Sequence, residues 1–221
     1  MIAMLESRET VRELAMFPLL TVLHPYAVLP LQVFEQRYRQ LTMRCVEEGG
    51  DLGVVLIERG SDVGGWDVRC AVGASGAIED VASFADGRFA LVVRGKQRVR
   101  VRRWLSEEPY PRALVEEIET IPLDPGAPCD RSAYDRAYVS VRRARALLSE
   151  LGDIAPLPAG FELGDNLDVA AWRLCALAPL RPADSQRLLE VDDAINRLEL
   201  LGLLTDAVAD KAMQLLAKGV R

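Results

Sequence analysis

The hydrophobic pattern of this chain changes period once, and the change falls at TIPLDPGAPCD, residues 120–130. Before it, short β-branched runs alternate apolar and polar residues. After it, apolar residues return every third or fourth position. Strands gathered in one half and helices in the other predict an α+β chain rather than βαβ units. GVVLIE (53–58), GAIEDV (76–81), RFALVV (88–93) and QRVRVRRW (97–104) read as strands bounded by Gly49-Gly50, Gly64-Gly65, Asp86-Gly87 and Gly95. YPRALVEEIE (110–119) adds another. Arg94-Gly95-Lys96 lies between two alternating runs and predicts a hairpin with Gly95 in the left-handed position. Strands this closely spaced point to a barrel or sandwich.

Pro122, Pro125, Gly126 and Pro128 mark the boundary. Beyond Ser132, the residues Tyr134, Ala137, Tyr138, Val141, Ala144, Leu148 and Leu151 fall at helical spacing up to a stop at Gly152. DNLDVAAWRLCALA (165–178) predicts a second helix capped by Asp165 or Asn166. Residues 183–190 make a short third, and Asp192 or Asp193 opens a long fourth. These signals predict a β-rich part over residues 1–121, a linker over 122–131 and a helical part over 132–221. One earlier helix is expected near 33–48. In LPLQVFEQRYRQL (29–41), Leu31, Phe34, Tyr38 and Leu41 stand at i, i+3, i+4 spacing, which predicts docking through those four side chains. Glu35 and Arg39 form a candidate i,i+4 pair, and Arg37 is placed to tie the helix to a neighbour. The exposed side of that helix, Glu35, Gln36 and Arg39, is the candidate protein-binding face.

The chemistry-bearing residues are sparse. At 221 residues, half of them hydrophobic, the chain can bury a full core. Its apolar runs, such as LAMFPLLTVL, are broken by proline short of the ~18–20 residues of a membrane span. MIAMLESRETVREL carries no apolar signal segment, so a cytoplasmic location without a membrane partner is expected. Cys45, Cys70, Cys129 and Cys175 are scattered and His24 is the one histidine, which leaves little for a metal site or a histidine triad. GRFALVVRGK (87–96) fails as a phosphate loop because its glycines are too far apart and Gln97 follows Lys96. The pairs Glu47-Glu48, Glu107-Glu108 and Glu116-Glu117 are adjacent in sequence and face different ways. No cofactor and no catalytic residue is expected, and a small-molecule enzyme would need a deep polar pocket. Arg98, Arg100 and Arg102 would line one face of a strand. That stripe fits phosphate contact, or a solvated face neutralised by Glu116, Glu117 or Glu119. The net charge of −6 favours the second and argues against nucleic acid as a partner.

The order of these pieces resembles one family. FPLLTVLHPYAVLPLQVFEQRYRQL (17–41), GVVLIERG (53–60), AVGASGAIED (71–80), DGRFALVVRGKQRVRV (86–101), PYPRALVEEIE (109–119) and DSQRLLEVDDAINRLELL (184–201) are together similar to the N-terminal substrate-recognition domain of Lon proteases. The resemblance implies a PUA-like β-barrel followed by a helical bundle. Pro18, Pro30, Leu31, Phe34, Arg37, Tyr38, Gly87, Arg88, Gly95 and Arg98 then stand as structural signature residues. It further implies a non-catalytic substrate-recognition or adaptor module without the ATPase and protease parts. Its partners would be unfolded or exposed peptide segments and a full-length protease; oligomeric state stays open. An RNA-binding PUA-like protein using the Arg98/Arg100/Arg102 stripe is the alternative. The sequence departs from the family at His24-Pro25-Tyr26, where a glycine is common in place of Tyr26; a different or strained turn is expected there.

Overall fold

Residues 11–59, 68–155, 157–158 and 163–219 are described in a computed structural model. They form six strands and five helices, a mixed α+β chain. In chain order these are β1 (Arg12–Leu19), β2 (Val28–Val33), α1 (Gln36–Glu48), β3 (Leu52–Arg59), β4 (Val68–Ser83), β5 (Phe89–Trp104) and β6 (Arg112–Ile118), then α2 (Pro128–Leu151), α3 (Leu167–Leu177), α4 (Pro182–Glu190) and α5 (Ala194–Ala217). Two compact units emerge. One holds the chain up to Leu19 and Val28–Ile118, and the other holds Leu20–Ala27 and the residues from Glu119 onward. The Gly64-Gly65 turn and the N-terminal ten residues lie outside the described residues.

In the first unit the strands lie in the order β2-β5-β4-β3-β1-β6, and β5 also pairs with β6. The ladder β5–β4–β3–β1–β6 therefore returns to β5. All its pairings are antiparallel except β1 with β3. Leu14, Met16, Val55, Val99, Ala113 and Val115 fill a core cluster, with Val101 and Trp104 packed against it. Four strands supply these residues, at alternate positions on β1 and β6, which is what period-two patterning dictates.

β4 and β5 run 16 residues each, longer than this circuit uses. β3 reaches β4 no further than Gly76. The remainder of β4, β5 from Phe89 to Arg94, and β2 make a three-stranded ribbon. The hairpin expected at Gly95 is corrected. β5 is continuous there, and the reversal lies at Asp86-Gly87, where Gly87 takes φ +81. Gly95 instead sits opposite Gly76, next to a register shift in the β4–β5 ladder. A strand glycine of this kind marks an irregularity in the ladder rather than a turn.

The helix signal at 29–41 is also corrected. Val28–Val33 is extended and pairs with β5, so Leu31 belongs to a strand. Glu35 at φ −70, ψ 139 opens α1, and the helix buries Tyr38, Leu41, Thr42 and Cys45. Phe34 precedes the helix and is 58% exposed. The i, i+3 spacing ran across a strand–helix junction, where the phase resets. Tyr38 stacks on Phe17 with ring centroids 4.2 Å apart, and Gly49 ends α1 in the left-handed conformation.

The second unit is built on α2 and α5, helices of 24 residues that pack along each other. Ala133, Ala137 and Val141 of α2 meet Leu198 and Leu201 of α5 in one core with Leu174 and Leu188. Gly152 stops α2, Asn166 caps α3 by accepting from the Val169 N–H, and Asp193 caps α5 by accepting from the Asn196 N–H, as the sequence led one to expect. The linker expected over 122–131 is corrected. Leu123 is part of the core, and α2 begins at Pro128, a residue well suited to a first helical turn because its missing N–H costs nothing there.

Gly202 sits inside α5, and an added methyl there meets nothing within 4 Å beyond its own helix. Glycine in a helix interior is about 0.5–1 kcal/mol worse than alanine. Gly202→Ala is therefore expected to raise stability by about that amount in urea denaturation.

Candidate functional site

The ribbon's residues fall into rows across three strands. Val33, Phe89 and Ser83 form one row, and Leu31, Leu91 and Val81 form a second on the same face. Phe34 follows Val33, and Phe84 follows Ser83. β2 and β4 flank β5 at about 4.8 Å each, so both phenylalanines leave the ribbon at the same end, about 10 Å apart across the ribbon. Phe34 is 58% exposed and Phe84 50%; Phe89, between their strands, is half-buried. Three of the chain's five phenylalanines (Phe34, Phe84 and Phe89) thus gather at one tip.

The two free edges beside this tip are poor templates for a further strand. β2 pairs only with β5 among the described strands, and its middle residue Pro30 has no N–H to offer. On β4 the ladder is irregular between Ile78 and Asp80, and the Val81 N–H donates to Asp80 Oδ1 at 2.9 Å. Both edges are therefore blunted against backbone pairing.

The charged residues around the tip are mostly paired. Arg37 donates to Glu35 at 3.0 Å and lies over the Tyr38 ring at 4.5 Å. Arg88 donates to Asp86 at 2.7 Å and lies over the Phe84 ring at 5.7 Å; both bonds from Arg88, backbone and side chain, hold Asp86 below the usual carboxylate range. Arg94 pairs with Glu79. Arg39, at the end of the first turn of α1, lies against the β4–β5 turn. A Cβ on Gly87 would overlap its Nη2 and stand 2.7 Å from its Cζ. The residues expected to bind and those expected to be structural thus meet here. Arg39, Gly87, Arg88 and Phe34 share one end, with Glu35 and exposed Gln36 beside them. The expected Glu35–Arg39 pair is corrected, because Glu35 turns to Arg37 instead.

The arginine stripe is corrected as well. Arg98 is 1% exposed, Arg100 is half-buried, and Arg102 is bound by Glu116. A register shift between Val101 and Arg103 breaks the face. Burial and pairing leave no continuous cationic row. Pro18 and Gly95 lie within strands and Tyr38 within the core.

In the helical unit, His24 Nε2 lies 2.8 Å from Ser185 Oγ, the spacing of a base and a nucleophile. It lacks the rest of that machinery. Among the described residues His24 Nδ1 has no hydrogen-bond partner, so no carboxylate there orients the ring. Burial, helped by the Arg197 charge, lowers its pKa to about 3, far too weak a base near neutrality. The surroundings are structural: Arg197 is fully buried with its guanidinium 3.6 Å from the Trp172 ring centroid, and burial pushes Cys175 up to about 11. Tyr26, two residues on, takes φ 61, the strained turn expected where the sequence departs from glycine.

A groove of about 760 Å³ also runs along α2, with Val139, Arg136 and Asp206 in its lining. Its Arg131 pairs with Asp135 at 3.2 Å, its Arg143 pairs outside the lining with Asp210 at 3.6 Å, and its exposed apolar side chain Val139 is aliphatic. Among the described residues no cluster of three or more His, Cys, Asp or Glu side chains is placed to hold a metal, and no helix is long and apolar enough to cross a membrane.

Comparison with known proteins agrees with this fold. Residues 13–206 match the family model of the ATP-dependent protease La (LON) substrate-binding domain. Lon protease 2 of Herpetosiphon aurantiacus is 30% identical over 210 residues, covering 92% of this chain and 25% of that protein. Lon protease of Xanthomonas oryzae pv. oryzae is 30% identical over 230 residues, covering 99% of this chain and 25% of that protein. The chain thus spans about a quarter of the length of these curated relatives. The solved Lon N-terminal domain protein from Xanthomonas campestris aligns with TM-score 0.58 at 30% identity, covering 86% of this chain and 96% of that one. The N-terminal domain of Mycobacterium avium complex Lon protease aligns with TM-score 0.56 at 19% identity, covering 88% and 98%, and bears on the fold alone. The chain belongs to the Lon substrate-binding domain family.

Proposed function

We propose that this chain is a non-catalytic protein-binding module that takes exposed, unfolded apolar segments of other proteins on the aromatic tip of the β2–β5–β4 ribbon. In this reading the closed circuit of strands is a PUA-like barrel and α2–α5 form its helical bundle. The module then acts as a recognition or adaptor part for a full-length protease in the cytoplasm. The observation that carries the reading is the tip itself. Phe34 and Phe84 are both at least half exposed at one end of a ribbon whose edges are blunted. Large aromatic side chains left in water cost free energy unless something covers them, and such residues dominate recognition surfaces.

The test uses a fluorescent, reduced and carboxymethylated reporter protein, titrated with the chain and followed by anisotropy. Saturable binding is expected, and the double variant Phe34→Ser/Phe84→Ser is expected to weaken it at least ~10-fold, since a truncated aromatic anchor costs ~1–2 kcal/mol or more. Because both side chains are exposed, the thermal midpoint should stay within about 1–2 °C of the parent. Absence of saturable binding, or equal binding by the double variant, overturns the reading.

A further inference from the structure

We propose that the segment taken by the aromatic tip carries a carboxylate beside its apolar residues, and that Arg39 reads it. The inference rests on the reading of the tip as the binding surface. Its own support is the charge arrangement there. Arg37, Arg88 and Arg94 each have a carboxylate partner in Glu35, Asp86 and Glu79. Arg39 has none among the described residues, although it stands at the same end and is half-buried. A guanidinium held part-way out of water without a counter-charge presents a planar fork of donors, suited to a bidentate carboxylate.

Two further features sharpen the fit. Gly87, at φ +81, leaves the space that the Arg39 head group occupies, so the turn and the arginine are matched to one another. The carboxylate of Asp80 does not cancel the charge. It accepts from the neighbouring Val81 N–H at 2.9 Å and stands four residues before Phe84, about 13 Å back along β4 from the tip. The tip therefore combines apolar surface with one uncompensated positive charge. It should prefer Phe or Leu next to Glu or Asp over the same residues next to Lys, which would meet like charge.

The experiment uses three labelled 12-residue peptides of identical apolar core, flanked by Glu, Gln or Lys, titrated by anisotropy against the parent chain, Arg39→Gln and Arg39→Glu. The parent is expected to bind the Glu peptide about tenfold more tightly than the Lys peptide, a difference typical of one charge-assisted bond. Arg39→Gln should bring the peptides to within about twofold of one another, and Arg39→Glu should invert their order. Arg39→Gln keeps a polar side chain of similar reach, so it decides the matter even where Arg39→Glu fails to fold. Equal binding of the three peptides by the parent, or a preference unchanged in Arg39→Gln, overturns the charge inference and leaves the aromatic tip standing. Failure of the parent to bind any of the three overturns both.

Discussion

Replacing Gly73 by alanine is expected to destabilise the strand-bearing unit by at least about 3 kcal/mol, the upper range for forced overpacking. Gly73 lies inside β4, paired with Val55 on one side and Val99 on the other. A Cβ there would overlap the Val54 carbonyl oxygen and stand 2.6 Å from Val55 Cγ1. The obstacle is backbone, and that backbone is fixed twice over, because Val54 and Val55 also pair with Phe17 and Pro18 of β1. Moving the carbonyl away therefore strains two ladders at once. Gly53 makes the useful contrast. A methyl there meets Met16 and Leu14 side-chain atoms, which can rotate aside at lower cost. Urea denaturation should rank the variants Gly73→Ala well below Gly53→Ala. A loss under about 1 kcal/mol for Gly73→Ala would mean that β3 and β4 do not approach as described.

Gly73 also illustrates how far the sequence could be read. The segment AVGASGAIED marks a strand and a family, but nothing in its letters says that one glycine faces a neighbouring carbonyl. A glycine within a strand pattern signals close approach in general, without naming the partner. The helical half was the more legible one, since its caps and stops are local: Asn166, Asp193 and Gly152 act within a few residues of themselves. The strand half depends on pairings distant in sequence. The register of β2 on β5 turned Leu31 from a helix position into a strand position, and it put Phe34 into solvent. The same register created the site. Phe34 and Phe84 are fifty residues apart in sequence, and only the ribbon brings them to one end. Arg39 was visible as an exposed helix residue, but its separation from Glu35 was not, because Glu35 had an equally good partner in Arg37.

Acidification from pH 6.5 to 5 should weaken the helical unit through its one imidazole, His24. It is 1% exposed, its Nε2 is engaged with Ser185, and its ring centroid lies 5.8 Å from that of Trp172. Burial first, and the Arg197 charge second, lower its pKa from 6.5 to about 3. The unfolded chain therefore takes up a proton near pH 6.5, which the folded chain refuses until about pH 3. Between those values the unfolded state binds more protons, so stability falls as the pH falls through 6.5 and the loss levels off near 3. Above 6.5 both states are neutral at this residue and it contributes no slope. The linkage amounts to about 2 kcal/mol at pH 5 and about 3 kcal/mol at pH 4. As the chain has one histidine, no other imidazole contributes to this window. His24→Gln keeps an amide that can reach Ser185 but has nothing to titrate. Urea denaturation followed by helical circular dichroism at pH 7.5, 6 and 5 is expected to give a sloping stability for the parent and a nearly flat one for the variant. Equal slopes in the two proteins between pH 6.5 and 5 would place the proton uptake elsewhere and His24 outside the core. The histidine that pairs with Ser185 thus anchors the Leu20–Ala27 segment, and its value to the fold lies in staying uncharged.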